Sequence, residues 1–327
     1  MAIQNTVLIG NGPNRSVQKD NLVLGDEFAI TWKSILERLA KTLNYTIRDI
    51  DEKSLTLVFD ELLLHSRIHT KTDLQAIVAR EVGSLGNKPL NDVLSCLSKH
   101  TLTTNYDHGL SLAHGFFPNH LGCEINKPLF PEIKENTFSL FRGRQSRKKV
   151  LWKINGEASQ PTSIALGYRQ YARYQDQIKN YLHSGVEYSK IKILQSPIYR
   201  NIPNFDFEKT GAPYSWVDLF LRDHIHMIGL GMEYTESILW WLLVEKFAVQ
   251  KMYPSYIGGA TYHHVVVGKK IGDRDRVKLD MLEDLGVRVA VVNASSYDEG
   301  YYEIADSIKP GISKMRKAED WKGMYKP

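Results

Sequence analysis

The chain has 327 residues, of which 43% are apolar and 24% are charged, and its formal net charge is +5 with histidine neutral. These values are typical of a globular protein and exclude a disordered chain, a collagen-like repeat and a disulfide-rich scaffold. The length allows two domains or one large α/β domain with an insertion. The mild positive charge permits an anionic ligand but does not require nucleic acid.

The cysteine content and the apolar runs indicate where the protein works. Cys96 and Cys123 are the only cysteines, so one chain cannot form a four-thiolate zinc site. Two isolated thiols are typical of a reducing cytosol. Residues 1–5 carry no basic stretch, and the apolar run at 238–244 is far shorter than the roughly 20 residues that span a bilayer. We therefore expect a cytoplasmic protein with no membrane partner.

The first half of the chain is predicted to hold two strands separated by a long helical segment. Residues 6–9 form an apolar run that stops at a glycine-rich turn, which indicates a buried strand. Residues 26–96 are predicted to be helical, because apolar side chains recur there at three- and four-residue spacing. Residues 101–104 are predicted to be the second strand. The proline-containing segment 108–149 is predicted to be irregular.

The second half alternates between strands and helices. Further strands are predicted over 150–154, 224–228, 263–267 and 287–292, and helices over 168–182, 236–249, 277–285 and 302–308. The proline-rich segment 197–213 is predicted to lack regular structure. Strands that alternate with helices predict a parallel sheet covered on both faces.

Five predicted strands end in glycine, asparagine or aspartate. In open parallel sheets, ligands bind beyond the carboxyl ends of the strands. We therefore expect a ligand crevice along this edge, formed by Gly10, Asn11, Gly12, Asn105, Asp107, Asn155, Gly229, Gly231 and Asn293.

The first turn is only part of a dinucleotide-binding motif. Gly10-x-Gly12 would let the backbone approach a diphosphate, but Arg15 stands where the third glycine belongs. A plain tight turn is the alternative interpretation. The sequence has no P-loop, no His-Glu-x-x-His and no Gly-x-Ser-x-Gly motif, which argues against P-loop ATPases, zincins and common serine hydrolases.

A more specific pattern follows the second strand. Residues 103–107, Thr-Thr-Asn-Tyr-Asp, resemble the sirtuin element Thr-Gln-Asn-Ile-Asp. Other sirtuin landmarks occur in the family's order over about residues 5–308, at Gly10-Asn11-Gly12, Asn155-Gly156, Gly229-Leu230-Gly231 and Asn293. The ordered set makes the chain similar to the sirtuin family. Because it has no zinc ribbon and a long helical insertion, it most resembles the zinc-free sirtuin-like NAD hydrolases of bacterial antiphage defence.

This resemblance implies a fold and a domain division. The expected fold is a Rossmann-like parallel sheet with helices on both faces, formed by residues 1–25 and 97–308. Residues 26–96 would be the helical insertion, and residues 309–327 a loosely ordered tail.

The resemblance also implies an activity and residue roles. The chain would hydrolyse NAD to nicotinamide and ADP-ribose, with NAD as substrate and no metal. Asn105 would hold the ribose or the water, and Asp107 would orient the site. The glycines of the two turns would admit the phosphates, and Asn293 would contact the adenosine. A homo-oligomer and a defence-system partner protein are further expectations.

One position departs from the family. The residue before Gly156 is a histidine general base in the family, whereas here it is Asn155, whose amide cannot accept a proton near neutrality. Either catalysis is weakened, or another group such as His100 or His108 replaces the base, or the copy is an engineered inactive one. A second interpretation is therefore a nucleotide-binding or assembly subunit that has kept the fold.

Two other patterns leave alternatives open. Residues 105–107 could form a helix N-cap in which Asp107 accepts hydrogen bonds from free N–H groups. The basic segment 142–149 could bind nucleic acid, but a solvated loop is the favoured interpretation, so direct nucleic-acid binding is not expected.

Overall fold

The computed structural model describes residues 3–14, 31–66, 70–83, 88–116, 127–128, 140–146, 148–189, 192–202, 213, 215–253, 256, 258–267 and 271–312. Arg15, Cys123 and residues 313–327 of the predicted tail lie outside the described residues.

The strands of the described chain form one large sheet and one small hairpin. In chain order they are β1 (Asn5–Ile9), β2 (His100–Thr103), β3 (Lys127–Pro128), β4 (Gly143–Ser146), β5 (Lys149–Lys153), β6 (Val186–Ser189), β7 (Lys192–Leu194), β8 (His224–Ile228), β9 (Thr261–Val267) and β10 (Val287–Asn293). Eight of them form a sheet in the order β10-β9-β8-β1-β2-β5-β4-β3, and β6 and β7 pair as the hairpin.

Helices occupy most of the remaining described chain. They are α1 (Trp32–Thr42), α2 (Leu55–His65), α3 (Lys71–Val82), α4 (Lys88–Leu94), α5 (Gly109–Ala113), α6 (Tyr168–His183), α7 (Pro197–Arg200), α8 (Trp216–Arg222), α9 (Ser237–Met252), α10 (Asp273–Asp284) and α11 (Tyr297–Ile308). None of these described helices is both long enough and apolar enough to cross a membrane.

The core of the sheet is parallel and has Rossmann-like connectivity. β1 pairs in parallel with β2 on one side and with β8 on the other. The β2–β5, β8–β9 and β9–β10 pairs are also parallel, whereas β4 pairs antiparallel with β5. The chain therefore moves outwards from β1 to β5, returns to the centre, and continues outwards from β8 to β10. The predicted α/β class and mostly parallel sheet are confirmed.

Alternating side chains on the strands supply two apolar layers. Leu8 belongs to a core that contains residues of α6, α8 and α9, and Ile9 to a second core that contains residues of α4 and α11. Both side chains are fully buried. This alternation arises because successive side chains of a strand point to opposite faces, so helices are needed on both sides.

A third apolar cluster belongs to the helices near the amino terminus. α1, α2 and α3 pack around buried side chains such as Leu36 and Phe59, and Ile164 and Leu166 complete the cluster. In contrast, Leu90 of α4 packs in the sheet layer beside β1. The predicted limits of the helical insertion stay a prediction.

Two segments predicted to be irregular contain regular structure. Residues 108–149 include α5 and β4, and residues 197–213 include α7. α7 forms because the Ser196 hydroxyl accepts a hydrogen bond from the N–H of Tyr199 and because Pro197 occupies the first helical turn. These predictions of irregular structure were wrong at those elements.

Candidate functional site

A cavity opens at the point where the strand order reverses. β1 and β8 are neighbours in the sheet, yet the chain leaves them in opposite directions. Such a switch point creates a crevice beyond the strand ends. A cavity of about 540 Å³ lies there and is lined by the turns after β1 and β8, by the end of β9, and by α10. Its size suits a small-molecule ligand.

Four of the residues predicted from the sequence line this cavity, namely Asn11, Gly12, Gly229 and Gly231. Gly10 and Asn293 are not part of the lining. Gly10 lies against the β8 turn, and its N–H donates to the Ile228 carbonyl at 2.9 Å. Asn293 ends β10 and is paired with Val267, which lines the cavity.

The two glycine turns pack directly against each other. A methyl group at Gly12 would lie 2.7 Å from the Gly229 Cα and 2.1 Å from the Tyr301 hydroxyl, and one at Gly10 would lie 2.5 Å from the Gly229 carbonyl. Gly229 has a φ of +66°, which favours glycine. At Gly231, however, the nearest atom to such a methyl group is 3.6 Å away. Packing alone therefore requires glycine at positions 10, 12 and 229, whereas position 231 has room for a methyl group.

Asn105 lies in a buried polar network beside the cavity. Its Nδ2 donates to the Gly10 carbonyl at 2.9 Å, and the buried Lys153 ammonium donates to the Asn105 carbonyl at 3.0 Å. Thr104, the preceding residue, lines the cavity. These hydrogen bonds fix the loop after β2 against the turn after β1, and Thr104 of that loop lines the cavity.

Asp107 accepts hydrogen bonds within the same network, next to the start of α5. Its Oδ1 accepts from the N–H of Gly109 at 2.7 Å, at the start of α5, and its Oδ2 accepts from Asn14 Nδ2 at 2.8 Å. Lys153 also donates to its carbonyl. Burial raises the pKa of this carboxyl group, and the charge of Lys153 and the hydrogen bonds oppose that shift. Asp107 therefore satisfies a free N–H group at the helix start, as the alternative interpretation expects, but the N-cap position itself is occupied by His108.

Asn155 follows β5, which is the neighbour of β2. Its side chain is buried, and its Nδ2 donates to the Tyr171 hydroxyl at 3.4 Å. The Tyr171 hydroxyl is 3.5 Å from that of Tyr106, which donates to the Ala165 carbonyl at 2.6 Å. The structure therefore brings Asn105, Asp107 and Asn155 to one edge of the sheet, but none of the three lines the described cavity.

Several lining side chains were missed by the sequence analysis. Trp32 at the start of α1 and Tyr301 of α11 are aromatic parts of the wall. Lys278 donates to the Gly231 carbonyl at 3.0 Å and forms an ion pair with Glu233 at 2.8 Å. Asp275 of α10 and Glu236, just before α9, are further carboxylates of the same wall.

Glu236 differs from the other acidic side chains of the lining. It is half-buried, and within the described part of the chain its carboxylate makes no hydrogen bond. Burial, with a smaller contribution from the charge of Glu233, raises its pKa to about 7. Sequence patterns gave no signal for this residue beyond an acidic side chain at a helix start, which is common because it suits the helix dipole.

The histidines differ in their relation to the cavity. His263 and His264 of β9 line it, whereas His100 and His108, the two named as replacement bases, do not. Burial lowers the pKa of His263 and of His264 to about 4, so both rings are neutral near pH 7. His264 Nε2 lies 3.1 Å from His226 Nδ1 on the β8 strand.

Glu157, in the loop after β5, partly neutralises the positive charge of the basic segment 142–149. Arg142 is buried, lies 3.8 Å from Glu157 and donates to Gln160 at 3.0 Å. Arg144 also pairs with Glu157. These two side chains hold the loop after β5 in place and do not form an open basic patch.

Comparisons with known proteins give no family for the chain, because no protein-family model and no curated protein matches it. Among the described residues, no group of three or more His, Cys, Asp or Glu side chains is placed to hold a metal ion.

Proposed function

We propose that this chain binds NAD in the switch-point cavity and hydrolyses it to nicotinamide and ADP-ribose. The observation that carries the proposal is the cavity itself, which lies at the reversal of a Rossmann-like strand order and is lined by Gly12, Gly229 and Gly231. A glycine-lined crevice at this place suits a diphosphate, because the backbone can approach it closely. The activity comes from the resemblance to sirtuin-like NAD hydrolases.

Each predicted residue keeps a place in this proposal. Asn11 and the β1 and β8 turns would contact the diphosphate and the adenosine side, with Asn293 at the rim. The loop fixed by Asn105 and Asp107 would support the nicotinamide ribose. Cleavage of the nicotinamide–ribose bond passes through an oxocarbenium-like state, and the pyridinium leaving group needs no acid. The chain must therefore fix the ribose and position a water molecule.

The wider setting stays part of the proposal. The helical insertion over residues 26–96, a homo-oligomer, a defence-system partner protein and a cytoplasmic location are all expectations from the sequence. α1 supports a role for the helical segment at the site, because Thr31 and Trp32 line the cavity.

A second candidate is a binding or assembly subunit that holds NAD or ADP-ribose without cleaving it. The observation that favours it is Asn155, whose buried amide donates to Tyr171 and offers no titratable proton. In this case the cavity would bind the nucleotide as a signal.

The test compares the full chain with Asn155→His and Asn105→Ala. Nicotinamide release and calorimetry with NAD and ADP-ribose are measured for each protein. Cleavage by the wild type that is lost in Asn105→Ala supports the hydrolase. Binding without cleavage by the wild type and by Asn155→His supports the binding subunit, and absence of binding to both nucleotides contradicts both candidates.

A further inference from the structure

The strongest unassigned feature of the cavity is the carboxylate of Glu236. It lies just before α9, whose helix starts beyond the carboxyl end of β8, so it shares the sheet edge with the glycine turns. In the described chain it neither caps the helix nor makes any other side-chain hydrogen bond. Its oxygens are not among the fully buried unpartnered atoms, so water or a ligand in the cavity can reach this carboxylate.

The other charged groups of the wall are paired. Lys278 contacts Glu233 at 2.8 Å and Asp275 at 3.1 Å. Glu236 is not part of this ion-pair group. It is therefore the carboxylate of the described lining that is available to a ligand or a water molecule.

Glu236 also interacts electrostatically with the network around Asn155. Burial is the main cause of the raised pKa of both Tyr106 and Tyr171, and the charge of Glu236 adds to it. The Tyr171 hydroxyl accepts the hydrogen bond of Asn155. Glu236 thus lines the glycine-lined cavity and interacts through its charge with the tyrosines next to Asn155.

We propose that Glu236 is the general base of this chain, taking the proton from the water that attacks the nicotinamide ribose. This inference rests on the proposed NAD hydrolysis. The Glu236 carboxylate would accept one water proton while the water oxygen bonds to C1′ of the ribose. The C1′–N bond breaks, and its electron pair goes to the ring nitrogen, giving neutral nicotinamide and ADP-ribose. Loss of the proton to solvent restores the carboxylate.

The charge environment suits this role. A base is most effective when its pKa lies near the working pH, and burial places that of Glu236 at about 7. The titratable groups that interact with it are Glu233 from its own loop, Tyr106 from the loop after β2 and Tyr171 from α6. His263 also faces the cavity, but its pKa of about 4 makes it a far weaker base.

The experiment uses the full chain with three single variants, Glu236→Gln, Glu236→Ala and His263→Gln. Glu245→Gln is the matched control, since Glu245 lies on α9 outside the cavity lining and contacts the Tyr199 hydroxyl. Nicotinamide release is measured across pH, NAD affinity is measured by calorimetry, and Glu236→Ala is assayed with and without added formate.

We expect Glu236→Gln to lower kcat by about 10²–10⁴-fold while KM and NAD affinity change by less than about threefold. Activity of the wild type should rise as pH increases through about 7, and Glu236→Gln should not show this rise. Formate should restore part of the activity of Glu236→Ala, because a small carboxylate can occupy the vacated space. Glu245→Gln should turn over NAD like the wild type.

The other outcomes separate this inference from the proposed function. Wild-type cleavage that persists in Glu236→Gln with the same pH profile overturns the assignment and leaves the hydrolase standing. The assignment is equally wrong if His263→Gln, and not Glu236→Gln, removes the rise of activity with pH near 7. A wild type that binds NAD without cleaving it overturns both the hydrolase and the base, and a wild type that does not bind NAD overturns the nucleotide site altogether.

Discussion

The carboxylate of Glu236 should make the stability of the protein depend on pH in a defined way. Its pKa is raised from 4.5 to about 7 by burial, so the folded protein holds this proton more tightly than the unfolded chain does. The folded state is therefore favoured at low pH. This contribution is lost as pH rises from about 4.5 through about 7, and it stays lost at higher pH.

The size of the effect follows from the same two values. A difference between pKa values of 4.5 and about 7 corresponds to about 3 kcal/mol. Because the side chain is half-buried and solvent screens its charge, we expect about 2–3 kcal/mol. Glu236→Gln keeps the shape without the charge, so its free energy of unfolding should exceed that of the wild type by this amount near pH 8.

Urea unfolding followed by tryptophan fluorescence measures the difference directly. The wild type and Glu236→Gln are compared from about pH 5 to about pH 8, with Glu245→Gln as the control for removing one acidic charge from α9, the helix that follows Glu236. The gap between Glu236→Gln and the wild type should widen as pH rises. A gap that stays constant over this range would refute the reasoning, because it would mean that the carboxylate titrates alike in the folded and unfolded chains.

Two further predictions concern the loops that form the cavity. Gly12→Ala should lower the free energy of unfolding by about 1–3 kcal/mol through overpacking, whereas Gly231→Ala should change it by less than about 0.5 kcal/mol. Calorimetry should nevertheless show weaker NAD binding for Gly231→Ala, and equal stability losses in the two variants would contradict the packing argument. Lys153→Met should cost about 2–4 kcal/mol, since it leaves the carbonyls of Asn105 and Asp107 without their buried donor. A loss below about 0.5 kcal/mol in urea unfolding would show that the ammonium does not hold this loop.

The parallel sheet could be predicted because its strands carry their own signal. β1 ends in Val-Leu-Ile and β8 in Met-Ile, and both stop at glycine, which is typical of buried parallel strands. β4 has no such signal, because Gly-Arg-Gln-Ser contains no apolar side chain. It forms because it pairs with the edge of β5 and because Arg144 forms an ion pair with Glu157. These two residues are too far apart in the sequence for a periodic pattern to link them. Tertiary contacts of this kind are invisible to periodicity.

The candidate site likewise contains some residues that the sequence could predict and others that it could not. The turns after β1 and β8 could be located because glycine at a strand end is a local feature. Glu236 and Trp32 could not, since an acidic residue before a helix indicates the helix dipole and a tryptophan at helical spacing indicates a core. Only the folded chain shows that both line one cavity with Gly231. Sequence order also did not reveal that Asn105 supports the Gly10 turn.

The direction of the hydrogen bonds around Asn155 links its identity to the proposed base. Asn155 Nδ2 donates to the Tyr171 hydroxyl, and the Tyr106 hydroxyl donates to the Ala165 carbonyl. The Tyr171 proton can then point along the 3.5 Å contact towards the Tyr106 oxygen. The three hydrogen bonds then share one direction, from Asn155 through the two tyrosines to the Ala165 carbonyl. A neutral histidine at position 155 could accept from Tyr171 and reverse this order. With the amide as a fixed donor, neither tyrosine presents its proton to Glu236, and the carboxylate remains free to accept one from water.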